Sequence, residues 1–456
     1  MRARRSKLLL LTALLLSVIL AACGTAPATQ GTASTAAPVA PENAPTAAPA
    51  AAVPTAAPES APTAATTQDA TTITYFTFSA APDHLKDLDA MIAAFKKENP
   101  TIDVKVETAP YADYFTKLQT LVAGDTAPDV FELNYENFVT YASKGVLADM
   151  TPMASAQAGF ANKFYPKAYA AFSRDGKQYG LPQSFSDVVL YYNKDLFDKA
   201  GVSYPTESWT WKDELAAAQK LTDTSTGVWG TYAPIQFFEF YKTAAQSGCN
   251  VFGADGKTVT INQPGCVESL TWMTDKINKY KVTPTDADMA GVSDGDLFKQ
   301  GKIAMLRTGI WMFSAFKDAP FKWDIALEPG NTQKAHAFFA NSVVISAKSK
   351  QQEAAWKWAQ FFTGSGEAAK IRVAASWELP ALNDQALFDS YLKQTPPETR
   401  AVVFKALDTA VTPPVIEQQS QLQDAVGKVL DEAKAGTITP QEALDQAKTA
   451  VEALVK

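Results

Sequence analysis

The chain is 456 residues long and carries 41 basic against 48 acidic side chains, two histidines and three cysteines, for a net charge of −7. That balance argues against nucleic acid and anionic lipid headgroups as partners, because both are bound by basic faces. His84 and His336 stand far apart in sequence, which argues against a histidine-based zinc site.

Residues 1–7 hold four basic side chains, 8–20 are an uncharged run that is apolar except for Thr12 and Ser17, and Leu20-Ala21-Ala22-Cys23 closes it. This reads as a secretory signal peptide over residues 1–22, with an apolar run too short to span a bilayer comfortably. The four-residue ending resembles the lipobox of bacterial lipoproteins, which implies lipidation of Cys23 and stable anchoring by more than one acyl chain. The alternative is an ordinary secreted protein that loses Cys23 with its leader. Up to Ala70 the chain is rich in Ala, Pro and Thr, with eight prolines and no aromatic residue, so it cannot bury enough surface to fold and serves as a tether. Without the four leader cations the net charge becomes −11. An oxidising compartment and an even count predict a Cys249–Cys266 disulfide, although spacing alone leaves two free thiols open.

The remaining stretch of about 385 residues exceeds one ordinary core and predicts two lobes. Residues 73–78 read as a strand, and Leu85, Leu88, Met91, Ile92 and Phe95 follow at helical spacing up to Asn99-Pro100. Ile102, Val104 and Val106 alternate as a second strand. A helix through Phe115, Leu118 and Leu121 ends at Gly124, and 128–133 form a third strand. This alternation predicts an α/β fold with a mostly parallel sheet, whose ligands bind beyond the carboxyl ends of the strands, here near 79–83 and 134–137. Further on, strands are expected at 188–192, 258–262, 303–306 and 343–345, and helices at 211–221 and 267–280. A last helix opens with the capping box Thr439-Pro440-Gln441-Glu442.

At this point the residues carry a family resemblance. Ala93-Ala94-Phe95-Lys96-Lys97-Glu98-Asn99-Pro100, then Ala123-Gly124-Asp125-Thr126-Ala127-Pro128-Asp129-Val130, Gly180-Leu181-Pro182, Tyr192-Asn193-Lys194-Asp195, Trp209-Thr210-Trp211 and Gly309-Ile310-Trp311 occur in order. The set resembles family 1 extracellular solute-binding proteins, in the sugar-binding branch with the maltose-binding proteins. The resemblance implies a two-lobed type II periplasmic-binding-protein clamp with three inter-lobe crossings, near 183–187, 327–330 and 377–380. The N-lobe would take 71–184 and 330–377, and the C-lobe 185–329 and 378–456. It further implies a monomeric, non-catalytic receptor at the outer face of the membrane or in the periplasm. Such a receptor needs no cofactor, captures a sugar by lobe closure and hands it to ABC permease subunits.

Carried over residue by residue, the resemblance places Glu132, Asn134 and Glu136 against sugar hydroxyls, with Gln183 and Ser184 on the first crossing; Ser79 joins them from its place beyond the end of the first strand. Phe238 with Glu239 and Trp311 supply the C-lobe face, and Asn341 and Trp377 lie near the third approach. Leu133 stands where the maltose-type relatives place an aromatic residue. Each assignment has a structural rival, since a tryptophan is more often core and Glu132 or Glu136 equally suits a solvated loop. Trp358 with Phe361 and Phe362 reads as core.

Enzyme motifs fail on detail. Ser314 and Lys317 have a β-lactamase spacing, but the Arg307-Thr308-Gly309 triplet precedes them. Asp286, Asp288 and Gly291 hint at a calcium loop, yet its twelfth position is Leu297. The competing functions are a lipid-anchored glycoside hydrolase drawing two carboxylates from Glu132, Glu136, Asp187 and Glu239, and a binding protein for a non-sugar solute.

Overall fold

The protein is described from a computed structural model over residues 70–376 and 378–455. The leader, Cys23, the tether up to Asp69 and Trp377 lie outside the described residues.

Strand β1 (Thr71–Thr77) is flanked by β2 (Ile102–Thr108) and β3 (Val130–Asn134), both parallel to it. The connecting helices are Pro82–Glu98 and Tyr111–Ala123. The first has proline at its start and buries Leu88, Met91 and Phe95, and the Asn99 N–H caps it on the Phe95 carbonyl. These three strands follow the expected strand–helix alternation. A short hairpin, β4 (Ser173–Arg174) with β5 (Lys177–Gln178), then leads into β6 (Gly180–Asn193), a fully buried strand of 14 residues.

β6 organises the rest of the sheet. Its first half, Gly180–Asp187, pairs with β9 (His336–Ile345). Its second half pairs with β7 (Met305–Gly309) and β8 (Trp323–Ala326). All three partners run antiparallel to β6, and β9 is also antiparallel to β3. The expectation of a mostly parallel sheet is therefore corrected to a mixed one. The local strand–helix–strand signal governs only β1 to β3, and later strands return through long excursions without a tight crossover rule. Two short strands complete the set: β10 (Leu379–Pro380) on β6 and β11 (Ala410–Val411) on the first residues of β9.

Residues 258–262 do not form the expected strand. The Asp255 carboxylate accepts the Lys257 and Thr258 N–H groups, and this turn leaves only an isolated bridge between Phe252 and Val259. A separate core is built by the helices Phe237–Gln246, Pro264–Asn278, Gln419–Lys434 and Pro440–Leu454. The last opens with the expected capping box, Thr439 N–H on Glu442 and Glu442 N–H on Thr439. A Cys249–Cys266 disulfide joins the end of the first of these helices to the start of the second. Trp358 is fully buried in the largest core, with Tyr75 and Phe362 against its ring. Among the described residues no helix is long and apolar enough to cross a membrane.

Candidate functional site

The expected residues of β3, β6 and β9 meet in one polar network. Register pairs Asn134 with Asn341 and Asn341 with Ser184. The Glu132 carboxyl accepts from the Thr77 hydroxyl and, at 2.8 Å, from Gln183 Nε2. Tyr75 donates to Gln183 Oε1 at 3.4 Å. One strand over, Glu378 accepts from the Ser184 hydroxyl and from Asn341 Nδ2 at 2.8 Å, with Arg372 at 3.4 Å. Ser79 is half-buried beside this network, its N–H on the Thr77 hydroxyl at 3.0 Å. Burial, reinforced by the charge of Glu378, pushes Glu132 up to about 8. Glu132 is thus a sealed, bonded acid and not a solvated loop charge.

Asn134 has a second duty. It caps the helix Tyr135–Ser143, its Oδ1 accepting the Asn137 N–H at 3.2 Å, and its Nδ2 donates to the Tyr111 hydroxyl at 3.1 Å. Glu136, in the first turn of that helix, is buried, is pushed up to about 7 by desolvation, and has one oxygen without a hydrogen-bond partner among the described residues. The Tyr241 hydroxyl is likewise buried and unbonded, and it titrates above its usual range through burial and then the charge of Glu136. Leu133, between these groups in sequence, points into an apolar core.

The aromatic side of the site lies where β6 passes from one set of partners to the other. Trp311 follows β7 after Gly309, which pairs with Val188, and Phe339 on β9 pairs with Ser186. The Trp311 and Phe339 ring centroids are 5.9 Å apart, and Phe339 and Phe238 are 6.0 Å apart. All three rings are half-buried. A Cβ at Gly309 would fall 1.9 to 2.2 Å from carbons of the Trp311 ring, so the indole lies in the space that glycine leaves open.

Glu239 requires a correction. Expected to face ligand beside Phe238, it is 1% exposed and bonded to Lys242 at 2.6 Å. Lys242 also pairs with Glu328, and Arg307 links Glu214, Glu239 and Glu328. Helix geometry explains the outcome: adjacent residues project about 100° apart, so Phe238 and Glu239 cannot share a face. This buried network ties together the helix Phe237–Gln246, β7 and the segment before β9.

The structure therefore brings together Ser79, Glu132, Gln183, Ser184 and Asn341, and separately Phe238 and Trp311, whereas Trp377 lies outside the described residues. Sequence reasoning missed Glu378, Arg372, Phe339 and Tyr111. Tyr111 is 56% exposed, the one large apolar side chain so open among the described residues, and nothing in its sequence pattern marks it.

A family profile described as bacterial extracellular solute-binding protein matches residues 81–369. The ABC substrate-binding protein from Listeria monocytogenes in complex with cycloalternan is 50% identical at a TM-score of 0.83, covering 85% of this chain and 99% of that one. T. maritima MalE3 bound to maltose shares the fold at 21% identity and a TM-score of 0.74, covering 84% and 100%. A maltooligosaccharide ABC transporter solute-binding lipoprotein from Streptococcus pneumoniae (strain ATCC BAA-255 / R6) is 25% identical over 81% of this chain and 86% of its own. With its α/β strand order and type II clamp architecture, the chain belongs to the family of bacterial extracellular solute-binding proteins.

Proposed function

We propose that this protein captures an oligosaccharide outside the cytoplasmic membrane and delivers it to an ABC permease, binding without turnover. The observation that carries this reading is the cluster of three half-buried aromatic rings whose member Phe339 lies two positions along β9 from Asn341 of the polar network. Flat rings suit the apolar faces of sugars, and the polar groups suit their hydroxyls. The relative at 50% identity makes cycloalternan the first ligand to test. Against hydrolysis, Glu132 and Glu239 are bonded to neighbours and Asp187 is sealed from solvent, so they do not flank an open bond-cleaving position.

The lobes divide, on this proposal, at Asp187–Val188, between Ala335 and Phe338, and between Tyr391 and Thr399, the last two displaced along the chain from the crossings expected near 327–330 and 377–380. Strand pairing supports the first two: Asp187 is the last β6 residue on β9, and His336–Ala337 pair with β11. The Thr399 hydroxyl bonds Asp324 of β8, which supports the third. The lipobox-like Cys23 and the named lipoprotein relative support a lipid anchor at the outer face of the cell membrane or in the periplasm.

Trp311→Ala tests the site. Removing a central aromatic anchor costs about 2 kcal/mol or more, hence a ten- to hundredfold loss of affinity by calorimetric titration. The ligand-free melting temperature should move little. A large drop in ligand-free stability at unchanged affinity would assign Trp311 to the core and remove the aromatic support for this reading.

A further inference from the structure

We infer that Phe339 is a specificity-determining residue, which completes a bent aromatic wall selecting strongly curved oligosaccharides over single sugars and flat chains. The inference rests on the sugar-binding reading above. Strand β9 is buried at every position except Phe338 and Phe339, its two bulkiest apolar residues. That inverts the ordinary rule, under which the largest apolar side chains of an interior strand are the best buried. Phe338 is accounted for: its ring lies 6.0 Å from Phe185, inclined by 27°. Because side chains alternate along a strand, Phe339 projects to the opposite face. That is the face on which Asn341, two residues on, bonds Ser184 and Glu378. Phe339 therefore stands between the polar network and the two aromatics assigned from sequence, Trp311 and Phe238.

The ring planes supply the selectivity. Phe339 is inclined by 58° to Trp311 and by 73° to Phe238. One pyranose presents a single mean plane and cannot lie parallel to surfaces turned this far apart. A flat, ribbon-like chain repeats nearly the same plane and meets the same obstacle. A ligand engaging the whole wall must turn its successive apolar faces sharply, as tightly bent or cyclic α-linked oligosaccharides do. The wall also straddles β6 at Ser186 and Val188, where that strand changes partners, so a ligand filling it contacts segments from both sides of the crossing. Gly309 holds the arrangement, since the Trp311 indole occupies the space of a missing Cβ.

The test titrates wild type, Phe339→Ala and Phe339→Leu calorimetrically with glucose, cellotetraose, maltotetraose and a cyclic α-linked tetraglucoside, with the ligand-free melting temperature of each variant recorded. The wild type should bind the cyclic or bent tetraglucosides at least about tenfold more tightly than cellotetraose or glucose. Phe339→Ala should lose about 10- to 100-fold for the curved ligands and less than about threefold for glucose, as expected for an anchor at the centre of the contact. Phe339→Leu keeps the apolar bulk without the flat face and should lose affinity in the same order while melting near wild type. Equal losses for all sugars would make Phe339 a buttress and overturn the inference, as would an unchanged ranking of ligands. A panel in which no sugar binds the wild type overturns the sugar-binding reading itself.

Discussion

Trp311 owes its position to its neighbour. Gly309 has a φ of −84°, which any residue adopts, so its need for glycine is spatial and lies in the 1.9 Å approach of the indole. Gly309→Ala should leave the backbone unstrained, displace the ring, and cost about 1–3 kcal/mol of stability by overpacking. Its affinity should fall about as far as that of Trp311→Ala; calorimetry showing full affinity with normal tryptophan fluorescence would refute the seat. Glu132 makes a different prediction, of pH dependence. Its folded value of about 8 lies above its ordinary 4.5, so between those limits the native state holds a proton that the unfolded chain has released. Stability from this group is fully present below about 4.5 and is lost as pH rises toward 8. Glu136 and Asp187 are shifted in the same direction, so the wild-type melting temperature should fall on going from pH 5 to pH 9. Glu132→Gln, which mimics the protonated acid, should fall less over the same range; parallel curves would show that Glu132 does not titrate there.

At the scale of elements, legibility in the sequence followed the range of the forces involved. The helix Trp211–Leu221 and the capped C-terminal helix matched their expected bounds closely, because periodicity and caps are local signals. β9 was visible only as the apolar Val343–Ile345, since Asn341 and Ser342 read as loop until Glu378 and Ser184 stand opposite them as polar partners. Glu378 was invisible for the same reason: its role comes from three residues 6, 37 and 194 positions away in the chain. The burial of Glu239 likewise depends on Arg307 and Glu328, which no local window contains. The disulfide was legible from compartment and count, and it joins two helices of the core against which Phe238 of the aromatic wall also packs, at the far end of the Phe237–Gln246 helix from that ring. With a sequence separation of 17, its loop is worth about 3 kcal/mol in the chain-entropy estimate. Cys249→Ser/Cys266→Ser should lower stability by roughly that amount in denaturant titration while leaving sugar affinity within about twofold. A matching loss of affinity would mean that this core helps set the site.

For the whole molecule, a clamp is defined by what holds its halves together without ligand. Among the contacts that bridge the proposed lobes away from the aromatic wall are two groups of exposed polar bonds. Arg174, on the β4–β5 hairpin, pairs with Glu417 at 2.7 Å, and the Thr140 hydroxyl donates to the Glu417 carbonyl at 2.8 Å. Elsewhere the Ser314 hydroxyl donates to the Asp83 carboxylate at 2.9 Å, which helps hold Asp83 below its ordinary range against the opposing effect of burial. Both ion-pair side chains in the first group are substantially exposed, 32% and 53%, so the pair contributes only about 0.2–1 kcal/mol. Such small terms matter in a two-state clamp because affinity scales with the fraction of molecules in the binding-competent state. Arg174→Ala/Asp83→Ala should therefore weaken oligosaccharide binding by about two- to tenfold without touching the ligand, mainly through faster dissociation. Screening adds a second signature: at about 1 M salt the Debye length is only about 3 Å, and the ion pair's share of the difference should disappear. Titrations of both proteins at low and high salt give the answer. If the variant binds as tightly as wild type at low salt, these contacts do not bias closure; if its deficit is unchanged at high salt, the Arg174–Glu417 charge pair has no part in it.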